Sequence, residues 1–160
     1  MVIIGIDPGL TGAIAVLTDG KIQTVYDMPV SPKLSGKGLE INPYLLARLI
    51  SGCDLSVSFV VVERVHAMPG NGATSMFGFG DSLGVVRGVL GGLNIPVKWA
   101  TPQAWKKHFG LLKKEKDAAR TMVINTYPDE AELFSRKRDC GRADAVLIGL
   151  YGAEILNKLQ

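Results

Sequence analysis

Two short apolar runs in this chain each stop on an acid. Val2-Ile3-Ile4-Gly5-Ile6 ends at Asp7, and Ser58-Phe59-Val60-Val61-Val62 ends at Glu63. The second run is β-branched and apolar at successive positions, so it reads as a buried strand with helices on both sides. If the two strands lie parallel, carboxylates at their equivalent ends come close together. That constraint organises the reading of the rest of the chain.

The first run is followed by Asp7-Pro8-Gly9, a turn signature. Gly12 to Thr18 is a second run, Asp19-Gly20 is a two-residue hairpin signal, and Lys21 to Asp27 is a third strand. The chain therefore opens as a three-strand antiparallel meander. Met28 to Glu40 carries Pro29, Pro32, Gly36 and Gly38 and reads as a mobile loop. Asn42 caps a helix with Pro43 at its first position, running to about Ile50. A further helix spans roughly Thr74 to Leu90, and Pro96 to Trp99 is the fifth strand. Thr101-Pro102 starts another helix, and two more are expected over Lys113 to Thr126 and Arg142 to Leu156.

The element order is βββαβαβααα, with no repeat and no interior linker. At 160 residues the chain suits one domain with a real core. The expectation is a single α/β domain over residues 1–160. It holds a five-stranded mixed sheet, three strands antiparallel and two parallel, flanked by helices. A composition of 47% apolar and 21% charged residues excludes general disorder. No apolar run approaches the roughly 18 residues of a membrane span. There is no secretory signal pattern, and two cysteines are too few for a disulfide framework. A reducing, cytoplasmic setting is expected.

Charge is unevenly distributed. Lys98 to Arg142 holds 11 basic and 6 acidic residues, whereas residues 1–97 hold 6 basic and 7 acidic. A basic half beside a near-neutral one suits a polyanionic partner. A third acid, Asp144, lies in a helix among residues made for packing, Arg142-Ala143-Asp144-Ala145-Val146-Leu147. A carboxylate there is costly unless paired or metal-bound. Singly, each of the three acids is an ordinary loop or helix residue. Converging on one sheet edge, they repel one another, and divalent cations remove that repulsion. Oxygen ligands select Mg²⁺ or Mn²⁺. Two such ions about 3.5–4 Å apart support phosphodiester hydrolysis, and the basic half would hold the nucleic-acid backbone.

Four segments together resemble RuvC-type Holliday junction resolvases of the ribonuclease H-like superfamily. They are Gly5-Ile6-Asp7-Pro8-Gly9-Leu10-Thr11-Gly12, then Val61-Val62-Glu63-Arg64-Val65, then Thr101 through Lys116, and last Arg142-Ala143-Asp144-Ala145-Val146-Leu147-Ile148-Gly149. The resemblance runs in order from Val2 to Gly152, and the compact length is similar to versions carried by bacteriophages. It implies a ribonuclease H-like fold and a structure-selective endodeoxyribonuclease that cuts four-way junctions or other branched DNA as paired nicks. It implies Asp7, Glu63 and Asp144 as ligands of Mg²⁺ or Mn²⁺, with two ions per site.

The resemblance further implies a fourth acid three residues before the last, where this chain has Gly141. Asp139 is the candidate replacement. Lying five residues before Asp144, it would point about 140° away on a continuous helix, so it must sit in the turn before. Cys140 is the other neighbour, a soft ligand poorly suited to Mg²⁺. Lys106 or Lys107, together with Lys116, match lysines near the scissile phosphate, Lys116 in a catalytic role, and Lys114 joins them as a DNA contact. Arg64 and His66 follow Glu63 as further DNA contacts, with His66 at a position that is aromatic in the family.

The family acts as homodimers, and the helix after Thr74, with Gly84, Gly88, Gly91 and Gly92, is the expected interface. Phe77 and Phe79 suit core, interface or DNA wedge. Two other readings remain. An actin-like or sugar-kinase ATPase opens with the same Asp-x-Gly but needs two halves and a second phosphate loop. A catalytically weak or inactive branched-DNA-binding protein would keep the fold and lack the full ligand set.

Overall fold

The computed structural model describes residues 1–53, 57–65 and 72–156. Among the described residues seven strands form two sheets. The main sheet holds β1 (Val2–Asp7), β2 (Ala13–Thr18), β3 (Lys21–Asp27), β6 (Val57–Glu63) and β7 (Val97–Ala100) in the order β3-β2-β1-β6-β7. β1 pairs antiparallel with β2, and β2 with β3, while β1, β6 and β7 run parallel. This is the five-stranded mixed sheet that the sequence predicts. The β2–β3 hairpin turns at Asp19 and Gly20, both at positive φ (49° and 78°), the backbone a primed two-residue turn demands.

Helices cover both faces: α1 (Pro43–Ser51) and α2 (Ala73–Gly92) on one, and α3 (Pro102–His108), α4 (Ala118–Thr126) and α5 (Cys140–Tyr151) on the other. The strand alternation decides which residues face which layer. Ile4, Ile6, Val60 and Val62 join the core under α1 and α2. Ile3, Phe59 and Val61 join the core under α5. Asp7 and Glu63 continue this second set, two residues beyond Gly5 and Val61, so they face the α5 side. Asn42 and Thr101 cap α1 and α3 as expected, accepting from the backbone N–H of Leu45 at 3.0 Å and of Ala104 at 3.2 Å.

Two expectations need correction. The Met28–Glu40 segment contains a small ladder, β4 (Val30–Pro32) against β5 (Leu39–Ile41), because an edge position tolerates a proline without a donor. The helix expected from Lys113 begins only at Ala118. Gly110 and Lys113 take positive φ (67° and 59°), which breaks the helical path and leaves the lysines of this segment on turns. The last helix begins at Cys140, follows short 3₁₀ turns at Pro128–Phe134 and Lys137–Asp139, and continues past Tyr151 as a π-helical turn over Gly152–Leu156.

α5 is buried almost all round, including Ala143, Ala145, Val146, Leu147, Ile148 and Leu150. It lies directly on β1 and β2. A Cβ at Gly5 would run into the Ala145 carbonyl and sit 2.6 Å from the Gly149 backbone nitrogen. A Cβ at Gly149 would sit 2.7 Å from the Leu17 side chain. Glycine at both positions is what lets the helix axis come this close. Gly5→Ala is therefore expected to destabilise the fold by about 1–3 kcal/mol, because backbone rather than a movable side chain is in the way. A urea titration with an unchanged midpoint would refute that packing account.

Candidate active site

The parallel pairing sets the site. Ile6 lies opposite Val62, so Asp7 and Glu63 are the next residues on adjoining strands and share a face. α5 brings Asp144 to the same place from above. All three are half-buried. Burial pushes Asp7 up to about 7, helped by the negative charges of Glu63 and Asp144. Burial likewise pushes Asp144 up to about 6, with Glu63 adding to the rise and Lys106 and Lys116 opposing it. Glu63 is raised by burial and pulled back by a hydrogen bond from Trp105 and by Lys106. The charge of Glu63 thus acts on both Asp7 and Asp144, and that of Asp144 on Asp7.

Trp105 is the residue that sequence reasoning missed. Its indole N–H donates to Glu63 Oε1 at 2.9 Å, and the ring is fully buried. The Trp-Lys-Lys sequence marks the helix as amphipathic, but nothing in it names a partner 42 positions earlier. By burying Trp105, α3 sets the next residue, Lys106, against the carboxylates, and its charge lowers the pKa of all three. Lys106 Nζ also lies 5.1 Å from the Trp105 ring centroid, a cation–π contact. Lys107 is exposed and influences none of the three, so the Lys106-or-Lys107 alternative falls to Lys106.

Beside Asp144 opens a cleft of about 250 Å³, lined in part by Lys106, Lys113, Lys114 and Lys116. The break in the expected helix makes this possible, since turns present these lysines around one cleft. Arg64 is placed differently. It follows Glu63 on the alternating strand, so it leaves on the opposite face and lines a separate cleft with Arg87 and Trp99. His66, expected as a DNA contact, lies outside the described residues.

The structure does not bring Asp139 to the carboxylates. Its side chain is 2% exposed and gripped by Arg136. The Arg136 backbone N–H donates to Oδ2 at 2.8 Å, and the guanidinium donates to Oδ1 at 2.7 and 2.9 Å. Burial alone would raise its pKa, but Arg136 and Arg142 hold it below the usual carboxylate range. The expectation that Asp139 completes the ligand set is corrected on this geometry: it belongs to a separate cluster with Arg136, Arg142 and Asp27.

Position 141 does face the site. A Cβ there would lie 3.3 Å from Asp7 Oδ2, yet also 2.5 Å from the Thr11 carbonyl oxygen and 3.0 Å from Gly12 Cα. The Asp7 loop has closed onto α5, and no side chain fits between them. Cys140, one turn before Asp144, donates its thiol to the Lys137 carbonyl at 3.2 Å.

The donor set of Asp7, Glu63 and Asp144 is all carboxylate oxygen, which fits a hard divalent cation. Among the described residues no three His, Cys, Asp or Glu side chains form a ready-made cage. Mg²⁺ does not require one, since it keeps several waters and takes one or two carboxylates together with substrate phosphates.

No protein-family model matches the chain. Among curated proteins it is similar to "Holliday junction resolvase MOC1, chloroplastic" of Chlamydomonas reinhardtii. The identity is 31% over 148 aligned residues, which take in 79% of this chain and 17% of that relative. The chain thus spans about a sixth of the relative's length. Among solved structures it is similar to T. thermophilus RuvC in complex with a Holliday junction substrate, at a TM-score of 0.62 and 16% identity, covering 99% of this chain and 96% of that one. Thermus thermophilus RuvC in a second structure gives a TM-score of 0.54 and 20% identity, with 99% and 96% coverage. The fowlpox virus Holliday junction resolvase gives 0.51 and 14%, with 98% and 99% coverage. The fold is that of the RuvC resolvases.

The raised carboxylates have a stability consequence. An acid whose folded pKa lies above its unfolded value, as for Asp7 near 7 against 3.8, contributes no penalty below about pH 4. A penalty then accumulates up to about pH 7, because over that range the unfolded chain ionises this acid while the folded state keeps it protonated. In chelator, Asp7→Asn is expected to stabilise the protein at pH 8, by up to about 4 kcal/mol, and to lose that advantage by pH 4. Thermal melts of both proteins across that range check it, and a difference independent of pH would contradict it.

Proposed function

We propose that this chain is a RuvC-type nuclease, a divalent-metal-dependent endodeoxyribonuclease that resolves four-way junctions or other branched DNA by paired nicks. The observation that carries the reading is the convergence of Asp7, Glu63 and Asp144 at one sheet edge, with the charge of Lys106 acting on all three. The printed functions of the chloroplast relative and of the solved structures support it. A catalytically inactive junction binder of the same fold is not favoured, because three mutually repelling carboxylates at one point are costly in a protein that only binds.

In this reading Asp7, Glu63 and Asp144 hold Mg²⁺ or Mn²⁺, two ions per site. When bound, such ions polarise the phosphoryl group, lower the pKa of water and stabilise the leaving oxygen. The chain's own residues do the rest. Trp105 fixes the Glu63 carboxylate. Lys106, whose charge reaches all three carboxylates, offsets charge that builds on the phosphate in the transition state. Lys116 and Lys114, on the rim of the Asp144 cleft, bind the backbone of the DNA. Arg64 contacts DNA from the other face of the sheet.

The partner is branched DNA, and the acting species is a homodimer joined through α2. That helix buries only Ser82, Val86 and Leu90 among its side chains, and it exposes Phe77 (74%) and Phe79 (53%). Among the described residues nothing outside their own helix backbone lies within 4 Å of a Cβ added at Gly84, Gly88, Gly91 or Gly92, which leaves their surface open to a second helix. No helix among the described residues is long and apolar enough to cross a membrane.

The direct test is cleavage of a labelled four-way junction and a matched linear duplex with Mg²⁺, Mn²⁺ or EDTA. Paired, metal-dependent nicks in the junction alone are expected. Asp144→Asn should abolish them and leave junction binding intact, whereas cutting by that variant would remove the carboxylate site from the mechanism. Lys106→Ala should lower the cleavage rate on the order of 10²-fold. Lys107→Ala should not, since that side chain stands clear of the carboxylates. Equal losses from the two lysines would mean that the helix acts only as a general basic surface.

A further inference from the structure

The cluster that withholds Asp139 from the carboxylates also builds a second basic cleft. It has a volume of about 260 Å³ and is lined by Thr11, Gly12, Asp27, Arg136 and Arg138, among others. Arg136 is held in place by Asp139, and its guanidinium also reaches Asp27 at 3.8 Å. Arg142 takes up the other side of Asp27 at 2.6 Å, and its guanidinium donates to the Leu133 carbonyl at 3.1 Å. The two acids of the cluster are thus occupied by Arg136 and Arg142. Arg138 is exposed, makes no ion pair among the described residues, and adds uncompensated positive charge to the rim.

Strand order gives this cleft its meaning. Along the end of the sheet the residues run Asp27 on β3, Ala13 on β2, Asp7 on β1, Glu63 on β6 and Ala100 on β7, after which α3 carries Lys106. The lysine cleft therefore lies on the β7 side of the carboxylates and the arginine cleft on the β3 side. For a strand whose phosphate sits at the carboxylates and whose backbone leaves over the lysines, Thr11 and Gly12 lie on the opposite side of the cut.

We infer that Arg138, beside the anchored Arg136, binds a DNA backbone phosphate on the β3 side of the cut, opposite the lysines. Neighbouring strands are about 4.8 Å apart, so β3 lies about 10 Å from β1. Successive phosphates of one strand lie further apart than the roughly 3.4 Å axial rise of the duplex, so the contact falls one or two nucleotides from the scissile phosphate. The inference rests on the junction-nuclease reading. It adds a contact on the side of the site where the sequence pattern singles out no DNA-binding residue.

The experiment measures junction binding by wild type and Arg138→Ala in Ca²⁺ across a range of salt. The junctions carry single neutral methylphosphonates at each of five positions on either side of the cut. Arg138 is the position to change, because Arg136→Ala would strand the buried Asp139 without a partner. The expected result is a several-fold weaker Kd for Arg138→Ala and a salt slope shallower by about 0.9, the share of one phosphate contact. A methylphosphonate one or two nucleotides from the cut, on one side only, should weaken wild type and leave Arg138→Ala unaffected. An unchanged salt slope, or the same methylphosphonate profile in both proteins, would overturn the inference while wild type still binds and cuts the junction. Wild type that neither binds nor cuts would instead overturn the nuclease reading beneath it.

Discussion

The close approach of α5 to β1 is the contact on which the rest of the molecule depends. Gly5 and Gly149 remove the side chains that would otherwise hold helix and strand apart, and the backbones meet. Three consequences follow from that single approach. Asp144 is delivered to the level of Asp7 and Glu63. The Asp7 loop is pressed against the start of α5, so that position 141 has no room for a side chain. The flanks of α5 are fixed, and with them the two basic clefts beside the carboxylates. A helix standing even a methyl group further away would carry the same residues and lose the juxtaposition.

The site is built against an electrostatic gradient. Burial raises the pKa values of all three acids, Glu63 adds to the rise of Asp7 and Asp144, and the fold tolerates this through Lys106, the Trp105 hydrogen bond and the scaffold around them. Asp139 shows the contrasting solution within the same dozen residues. It is more deeply buried than the three, yet its pKa is lowered because Arg136 satisfies both of its oxygens. One acid group is left short of partners and suited to cations, while the other is neutralised and structural. Nearness in sequence to Asp144 says nothing about which of the two a given acid becomes.

Much of this was legible in the residues. The apolar runs ending in Asp7 and Glu63 dictate strands, because β-branched residues without polar interruption have no other stable place to go. Asn42-Pro43 and Thr101-Pro102 mark helix starts through capping chemistry that is local by nature. The small apolar setting of Asp144 marks it as out of place. What escaped the reading depended on distance in the chain or on backbone conformation. The left-handed Lys113 shortens α4, the β4–β5 ladder forms within a Pro/Gly-rich segment, and the indole of Trp105 finds Glu63.

The sequence by itself determined the five strands of the main sheet, the helices near their observed places, and the costly position of Asp144 among residues made for packing. These follow from propensity, periodicity and the energetics of burying a charge, all carried by neighbouring residues. Only the tertiary structure decided between Lys106 and Lys107, removed Asp139 from the carboxylates, sent Arg64 to the other face and closed position 141 to any side chain. Each of those outcomes turns on a distance of a few ångströms between elements far apart in the chain. Packing sets such distances, and a linear pattern of residues does not encode them one by one.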